Sequence, residues 1–286
     1  MSRFTLSALV GAALIAAPLG ALAADYPQPP TYVPPPAGFH SDWYLKGYIG
    51  LAAQHFRGLE HPLLNDPGPL FHEWLHTGEF DGVPLFGVGV GFRHSDHLRF
   101  DFTGEYRAKS AFSALDRYSN EDEGFTIPCD PDDDCGVNEY TGKKQELLFL
   151  ANAYFDLNPI HGITPYVGAG IGASYNTIYN FTDINVVQSG GGWAPTGSKW
   201  SLAWALHAGA SVPVNERLTL ELGYSFVKLG DAQTGPFQNI DPTQGCIVTD
   251  SCTGMTFKSI YSHDFKVGAR WALGHTQPSY PVMAKY

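Results

Sequence analysis

The stretch FKSIYSHDFKVGARWAL, Phe257 to Leu273, decides how the rest of the chain is read. Alternate residues Phe257, Ser259, Tyr261, His263, Phe265, Val267, Ala269, Trp271 and Leu273 lie on one side of an extended chain. Lys258, Ile260, Ser262, Asp264, Lys266, Gly268, Arg270 and Ala272 lie on the other. One face is apolar with aromatic ends, and the other carries charges of both signs. Few soluble sheets need an alternation this long. A strand that tilts across a bilayer does, because roughly 9 to 11 residues cross the hydrocarbon and more project beyond it.

Seven further segments share the pattern. They run from Trp43 to Gln54, Leu85 to Arg93, Leu98 to Ala108, Lys143 to Asp156, Thr164 to about Tyr179, Trp200 to Val212, and Leu218 to Lys228. The connections between the eight alternate strictly: long after the first, third, fifth and seventh, short after the second, fourth and sixth. The sequence therefore predicts an all-β fold, an eight-stranded antiparallel up-and-down transmembrane β-barrel with short periplasmic turns and four long extracellular loops. A water-soluble barrel with its apolar face inside shares the strand count. Two features favour the membrane. Large aromatics (Trp43, Tyr106, Trp200, Trp204, Tyr224, Tyr261, Trp271) gather towards the ends of the apolar faces, as interfacial girdles do. The polar faces balance Lys46, Arg99, Arg107, Lys144, Lys266 and Arg270 against Asp101, Glu105, Glu146, Asp156, Glu221 and Asp264, as an interior that must pair its ions would. Lys46, Arg99, Asp101, Glu105, Arg107, Glu146, Glu221, Asp264, Lys266 and Arg270 are the candidate lumen network.

The ends set the compartment. Met1 to Arg3 is basic, Phe4 to Gly20 is apolar, and Ala21-Leu22-Ala23 is a processing signal, so residues 1–23 read as a signal peptide. Residues 24–41 are a Pro-rich tail, 42–273 the barrel and 274–286 a second tail. Both mature ends are expected in the periplasm, and the protein in the cell outer membrane. The net charge of -11 argues against nucleic acid as a partner. Cys129, Cys135, Cys246 and Cys252 are an even set in an exported chain. The local pairs Cys129 with Cys135 and Cys246 with Cys252 are expected, and sequence leaves the two crossed connectivities open.

Candidate chemistry is sparse. His72-Glu73-Trp74-Leu75-His76 matches H-E-x-x-H, whose histidines bind zinc and whose glutamate acts as a base when the motif is helical. Here Pro67, Pro69 and Pro84 surround it in what reads as a connection from Phe56 to Gly82, with Phe71, Trp74 and Leu75 as a rim-packing turn. The run Asp130 to Asp134 lacks calcium-loop glycines. No cofactor, metal or catalytic residue is expected. The lumen of eight strands is just wide enough for side chains to fill, so the sequence predicts an interior largely filled by charge. The inward glycines of the second and fifth strands leave a narrow porin as the alternative. A metal-dependent hydrolase using His72, Glu73 and His76 is a remote one.

WYLKGYIG at 43–50, YVGAGIG at 166–172 and HDFKVGARW at 263–271 resemble the small alphaproteobacterial outer-membrane β-barrel proteins, of porin-family or surface-antigen type, similar in architecture to the OmpA transmembrane domain. The resemblance implies a non-enzymatic structural and surface-interaction role in the envelope. It also implies contact with outer-membrane lipid and lipopolysaccharide, an extracellular ligand at the loops, and the barrel assembly machinery during biogenesis. Such barrels end on the aromatic residue of the last strand. This chain runs on from Leu273 to Tyr286, so the assembly signal is either internal or carried by Ala284-Lys285-Tyr286.

Overall fold

The computed structural model describes residues 42–60, 71–119, 135–187, 190–241, 243, 246 and 253–273. Eight long strands carry the fold: β1 (Asp42–His55), β3 (Phe71–Arg93), β4 (Leu98–Ser119), β5 (Cys135–Asp156), β6 (Thr164–Asn185), β8 (Gly197–Pro213), β9 (Leu218–Gln233) and β11 (Thr256–Ala272). Three short ones, β2 (Gly58–Glu60), β7 (Gly191–Ala194) and β10 (Gln238–Asn239), decorate the loop end. Every pairing is antiparallel. The ring closes where β11 meets β1, with Val267 opposite Ile49 and Arg270 opposite Lys46. Closure leaves none of the eight long strands with an unpaired edge, which is what a sheet in lipid requires.

The strands are longer than their periodicity suggests. The second begins at Phe71, so His72 to His76 lies within a strand and not in a connecting turn. The third runs on to Ser119, the fourth starts at Cys135, and the fifth reaches Asn185. On β3, β4 and β6 the cause is a belt of bulges that breaks the alternation. On β4 both Arg107 and Ser110 point inward, and on β6 both Ile178 and Phe181 do. The same holds for Val83 and Phe80 on β3, Leu229 and Ala232 on β9, and Ile260 and Phe257 on β11. The members of each pair lie three positions apart, an odd step, so a bulge has swapped the two faces. Asn180, Gly230 and Ser259, with φ of 49°, 72° and 60°, sit at three of these points. A Cβ added to Gly230 would also meet Ser201 Cβ at 2.5 Å. β5 passes through without interruption, every even residue from Gly136 to Asp156 facing in.

Phe257 therefore does not share the outward face of Phe265 and Trp271, as simple alternation from Leu273 would have it. It is fully buried inside, while Phe265 is 64% exposed. Between the bulge belt and the short turns the outer surface is apolar: Val88, Leu51, Leu202, Leu222 and Ile171 are all exposed there. Beyond the belt the outer surface carries Glu79, Ser113, Glu139 and Lys143. Below the belt apolar residues face out and ions face in. Above it the order reverses.

Candidate functional site

The interior below the belt is an ion network in two tiers. In the tier nearer the short turns, Arg99 Nε donates to Asp156 Oδ1 at 2.9 Å and Arg99 Nη2 lies 3.4 Å from Glu221 Oε1. Arg270 Nε is 2.8 Å from the same Glu221 oxygen, and Lys46 Nζ bridges Glu221 at 3.3 Å and Asp101 at 3.5 Å. The Arg99 guanidinium also lies 4.1 Å from the Tyr154 ring centre. In the second tier Arg107 grips Asp264 with two hydrogen bonds, 3.1 and 2.6 Å, and holds Glu105 at 2.7 Å. Lys266 reaches Glu105 at 2.7 Å and Asp264 at 3.4 Å. Lys144 pairs with Glu146 and Gln54, and Gln54 donates in turn to Glu146 at 2.8 Å. Six cations, Lys46, Arg99, Arg107, Lys144, Lys266 and Arg270, meet six carboxylates, Asp101, Glu105, Glu146, Asp156, Glu221 and Asp264. A neutral, mutually bonded set is the form in which ions persist in an interior.

The inward glycines are not open space. A Cβ on Gly91 would overlap the Tyr44 ring, and one on Gly87 the Tyr48 ring. Gly168 would meet Tyr154 at 2.5 Å and Gly209 the Tyr166 hydroxyl at 2.5 Å. Each glycine seats a tyrosine from a neighbouring strand. What remains between the tiers is a cavity of about 30 Å³ lined by Lys46, Tyr154, His207, Glu221 and Lys266, room for one water. A vestibule of about 550 Å³ opens among the short turns and ends at Tyr44, Asp156 and Arg270.

Above the tiers the filling changes from ions to rings. Phe257 stands edge-on to Phe112 at 5.0 Å, and lies 5.4 Å from Phe56, 5.5 Å from Phe80 and 6.1 Å from Phe181. Ile178, Leu229, Met255 and Phe237 complete this cap. The Lys144 ammonium, 4.6 Å from the Phe80 ring centre, joins it to the second tier. The expectation of a lumen filled largely by charge therefore describes the turn half alone, because the bulges bring the outward aromatics of the loop half inside.

On the lipid-facing side the aromatic residues stand at two levels. Trp43 and Trp271 lie at the turn end, Trp43 packed on Phe92 at 5.6 Å. Tyr106, Trp200, Trp204, Tyr224 and Tyr261 stand towards the belt. There Trp200 packs on Tyr175 at 4.9 Å, and Trp204 and Tyr261 both pack on Phe226.

Residues 9–272 match the family model described as the outer membrane protein beta-barrel domain. The chain belongs to that family. An uncharacterized protein of Brucella abortus (strain 2308) is 30% identical over 246 residues, 80% of this chain and 83% of its own length. Among solved structures, Neisserial surface protein A aligns over 80% of this chain and 96% of its own, with 14% identity and a TM-score of 0.39. The outer membrane protease OmpT of Escherichia coli aligns over 82% and 96%, with 10% identity and a TM-score of 0.46.

Two motifs singled out in the sequence take their place in this outer-membrane barrel. On the strand, the four-position step from His72 to His76 spans at most about 13 Å between Cα atoms, shortened somewhat by the irregularity between Trp74 and His76, and lacks the one-turn stacking that lets the pair share an ion on a helix. Glu73 is held by Arg117, whose Nε donates to Oε2 at 2.7 Å, and Trp74 packs on Tyr140 at 5.6 Å. Among the described residues no three His, Cys, Asp or Glu side chains cluster around a common point. Cys135 and Cys246 are disulfide-bonded, while Cys129, Cys252 and Asp130 to Asp134 lie outside the described residues.

Periodicity puts Gln54, Asn152 and His207 on the inward faces of their strands, but it does not show what they bond, nor does it reveal the tyrosine seats. His207 bonds Ser225 at 2.8 Å and Asn152 at 3.1 Å. The signal available for the seats is a glycine directly opposite a tyrosine across a strand pair, as Gly91 is opposite Tyr44.

Above the cap, Tyr140 donates to Asp116 Oδ2 at 2.8 Å, and Asp183 lies opposite Tyr140 in register. Burial, and then the charge of Asp116, raise the Asp183 carboxyl from 3.8 to about 7. Its folded value lies above its unfolded one, so ionisation opposes the folded state. Stability from this group should be fully present below about pH 4, fall as pH rises to about 7, and stay level beyond. Urea unfolding of wild type and Asp183→Asn across pH 4 to 8 checks this, and the variant should lose that slope.

Proposed function

We propose that the protein is a closed, non-catalytic barrel that stiffens the outer membrane and presents its loop end to the exterior, where it meets lipopolysaccharide and an extracellular ligand. The observation that carries this reading is the sealed lumen: a neutral ion network, glycine-seated tyrosines and an aromatic cap leave about 30 Å³ between the tiers. An eight-stranded barrel encloses an interior that side chains can fill, and here they fill it. Export by residues 1–23, a barrel over 42–273, both tails in the periplasm and assembly by the barrel machinery belong to the same reading. So do loop disulfides linking Cys129 to Cys135 and Cys246 to Cys252.

Pure refolded protein in a planar bilayer is expected to give no stable conductance. A steady, reproducible channel would favour the narrow porin instead. The glycine positions weigh against that alternative: Gly87, Gly91 and Gly168 seat tyrosine rings, Gly170 lies against the Asn152 side chain, and a Cβ at Gly89 or Gly172 would meet neighbouring backbone. The hydrolase reading would need zinc bound stoichiometrically after refolding, and the strand geometry of His72 and His76 gives it no support.

A further inference from the structure

Where the lipid-facing surface ends, one row of side chains stands out. Cross-strand register places Trp204 of β8, Lys228 of β9, Tyr261 of β11 and His55 of β1 side by side. On β9 the outward residues below Lys228 are Leu218, Leu220, Leu222, Tyr224 and Phe226, a span of nine residues from Leu218 to Phe226. That length matches the roughly 9 to 11 residues that cross the hydrocarbon. Just beyond Lys228 come the bulges at Gly230 and Ser259, where the barrel reverses its faces. Lys228 thus stands at the level where lipid gives way to water.

Arg57 joins it from the loop-end extension of β1. Its backbone N–H donates to Lys258 O at 2.9 Å. Its neighbour Phe56 packs into the cap, so Arg57 is left exposed on the outer side. Arg57 is thus tied to the residue next to Ser259, and the field at the Lys228 ammonium includes both the Arg57 charge and the opposite charge of Asp231. Lys228 donates to Ser259 Oγ at 2.5 Å. Among the described residues neither cation has a carboxylate within ion-pair distance. The nearby Asp231 accepts from the Ser259 backbone N–H at 2.8 Å and is bridged by Lys258 at 3.6 Å and Lys199 at 3.8 Å. Glu60 is held by Lys258 at 3.2 Å, and Glu79 lies 3.9 Å from His55. In a chain of net charge -11, two neighbouring cations that no carboxylate pairs directly, at the level of the headgroup layer, call for an anion from that layer. The flanking rings are of the type that settles at headgroup level.

We propose that Lys228 and Arg57 hold a phosphate of an outer-leaflet glycolipid, with Trp204, Tyr261 and His55 packed along its sugars. The assignment to the outer leaflet rests on the loop end facing the exterior.

The test uses the full folded chain in detergent, its folding verified by gel mobility with and without boiling. It is titrated with lipopolysaccharide and with lipopolysaccharide stripped of its lipid phosphates. Wild type should bind the phosphorylated form about thirtyfold more tightly, since each of the two cations near an anionic headgroup favours it about fivefold. The double variant Arg57→Gln/Lys228→Gln should lose that preference while keeping wild-type affinity for the stripped form. Lys228→Arg should retain it. Inorganic phosphate should not compete. A double variant that keeps the preference, or wild type that never shows it, overturns the site. Competition by inorganic phosphate at equal concentration overturns the lipid as its ligand. Orientation is read separately, by an epitope inserted within 120–134 on intact cells. An epitope that stays hidden there would refute the outer-leaflet assignment, whatever the binding in detergent.

Discussion

Replacing Arg107 by leucine is expected to destabilise the folded barrel by about 3–5 kcal/mol, the cost of leaving a buried carboxylate without its partner. Arg107 is fully buried and joins Asp264 through two hydrogen bonds and Glu105 through a third contact. Its removal leaves Lys266 to neutralise both carboxylates from 2.7 and 3.4 Å. The double variant Arg107→Leu/Asp264→Leu removes one ion of each sign and should recover a good part of the loss, because a buried pair replaced by apolar groups costs far less than a broken one. Urea unfolding in lipid vesicles, followed by tryptophan emission, measures both. If the single and double variants prove equally unstable, the second tier does not act as a coupled unit.

Phe257→Ala should cost about 3–5 kcal/mol as well, for a different reason. Phe257 has no solvent exposure and stands among four other phenylalanine rings. Truncation removes the central ring of the cap and leaves a void that its edge-on and tilted neighbours cannot close. Phe257→Leu, which keeps most of the volume, should lose less than half as much. Planar bilayer recordings of Phe257→Ala add a second readout. The ion tiers lie below the cap and touch it at Phe80, through Lys144, and not at Phe257, so the variant should stay non-conducting. A channel appearing in it would mean that the cap, and not the ion network, is the seal.

Strand number, the alternation of long and short connections, and the twelve lumen ions are all legible in the sequence. Each follows from a period of two that runs unbroken between the turns and the bulge belt. Lys144 and Glu146 show this on β5, which keeps its phase from end to end. What the sequence hides begins where the phase slips. The pairs Phe80 and Val83, Ser110 and Arg107, and Phe257 and Ile260 break alternation by one residue each. Periodicity registers such a break as the end of a strand. The loop half of β3, β4 and β6 therefore reads as connection, and the aromatic cap with it. The His72 to His76 motif misleads for a related reason, since its zinc reading assumes helical spacing that a strand does not supply. The tyrosine seats depend on which glycine faces which ring, a matter of register between strands distant in the chain.

The belt of bulges also divides the barrel by solvent. On the turn side, lipid already surrounds the apolar face before and after folding within the membrane, so little water is released there. On the loop side, Phe80, Phe112, Phe181 and Phe257 leave water when they pack, and that transfer carries the heat-capacity change of ordinary globular folding. One set of eight strands thus obeys two temperature laws. The loop half should loosen on strong cooling as well as on heating, whereas the lipid-bound half, lacking that curvature, should respond to bilayer thickness and headgroup composition instead.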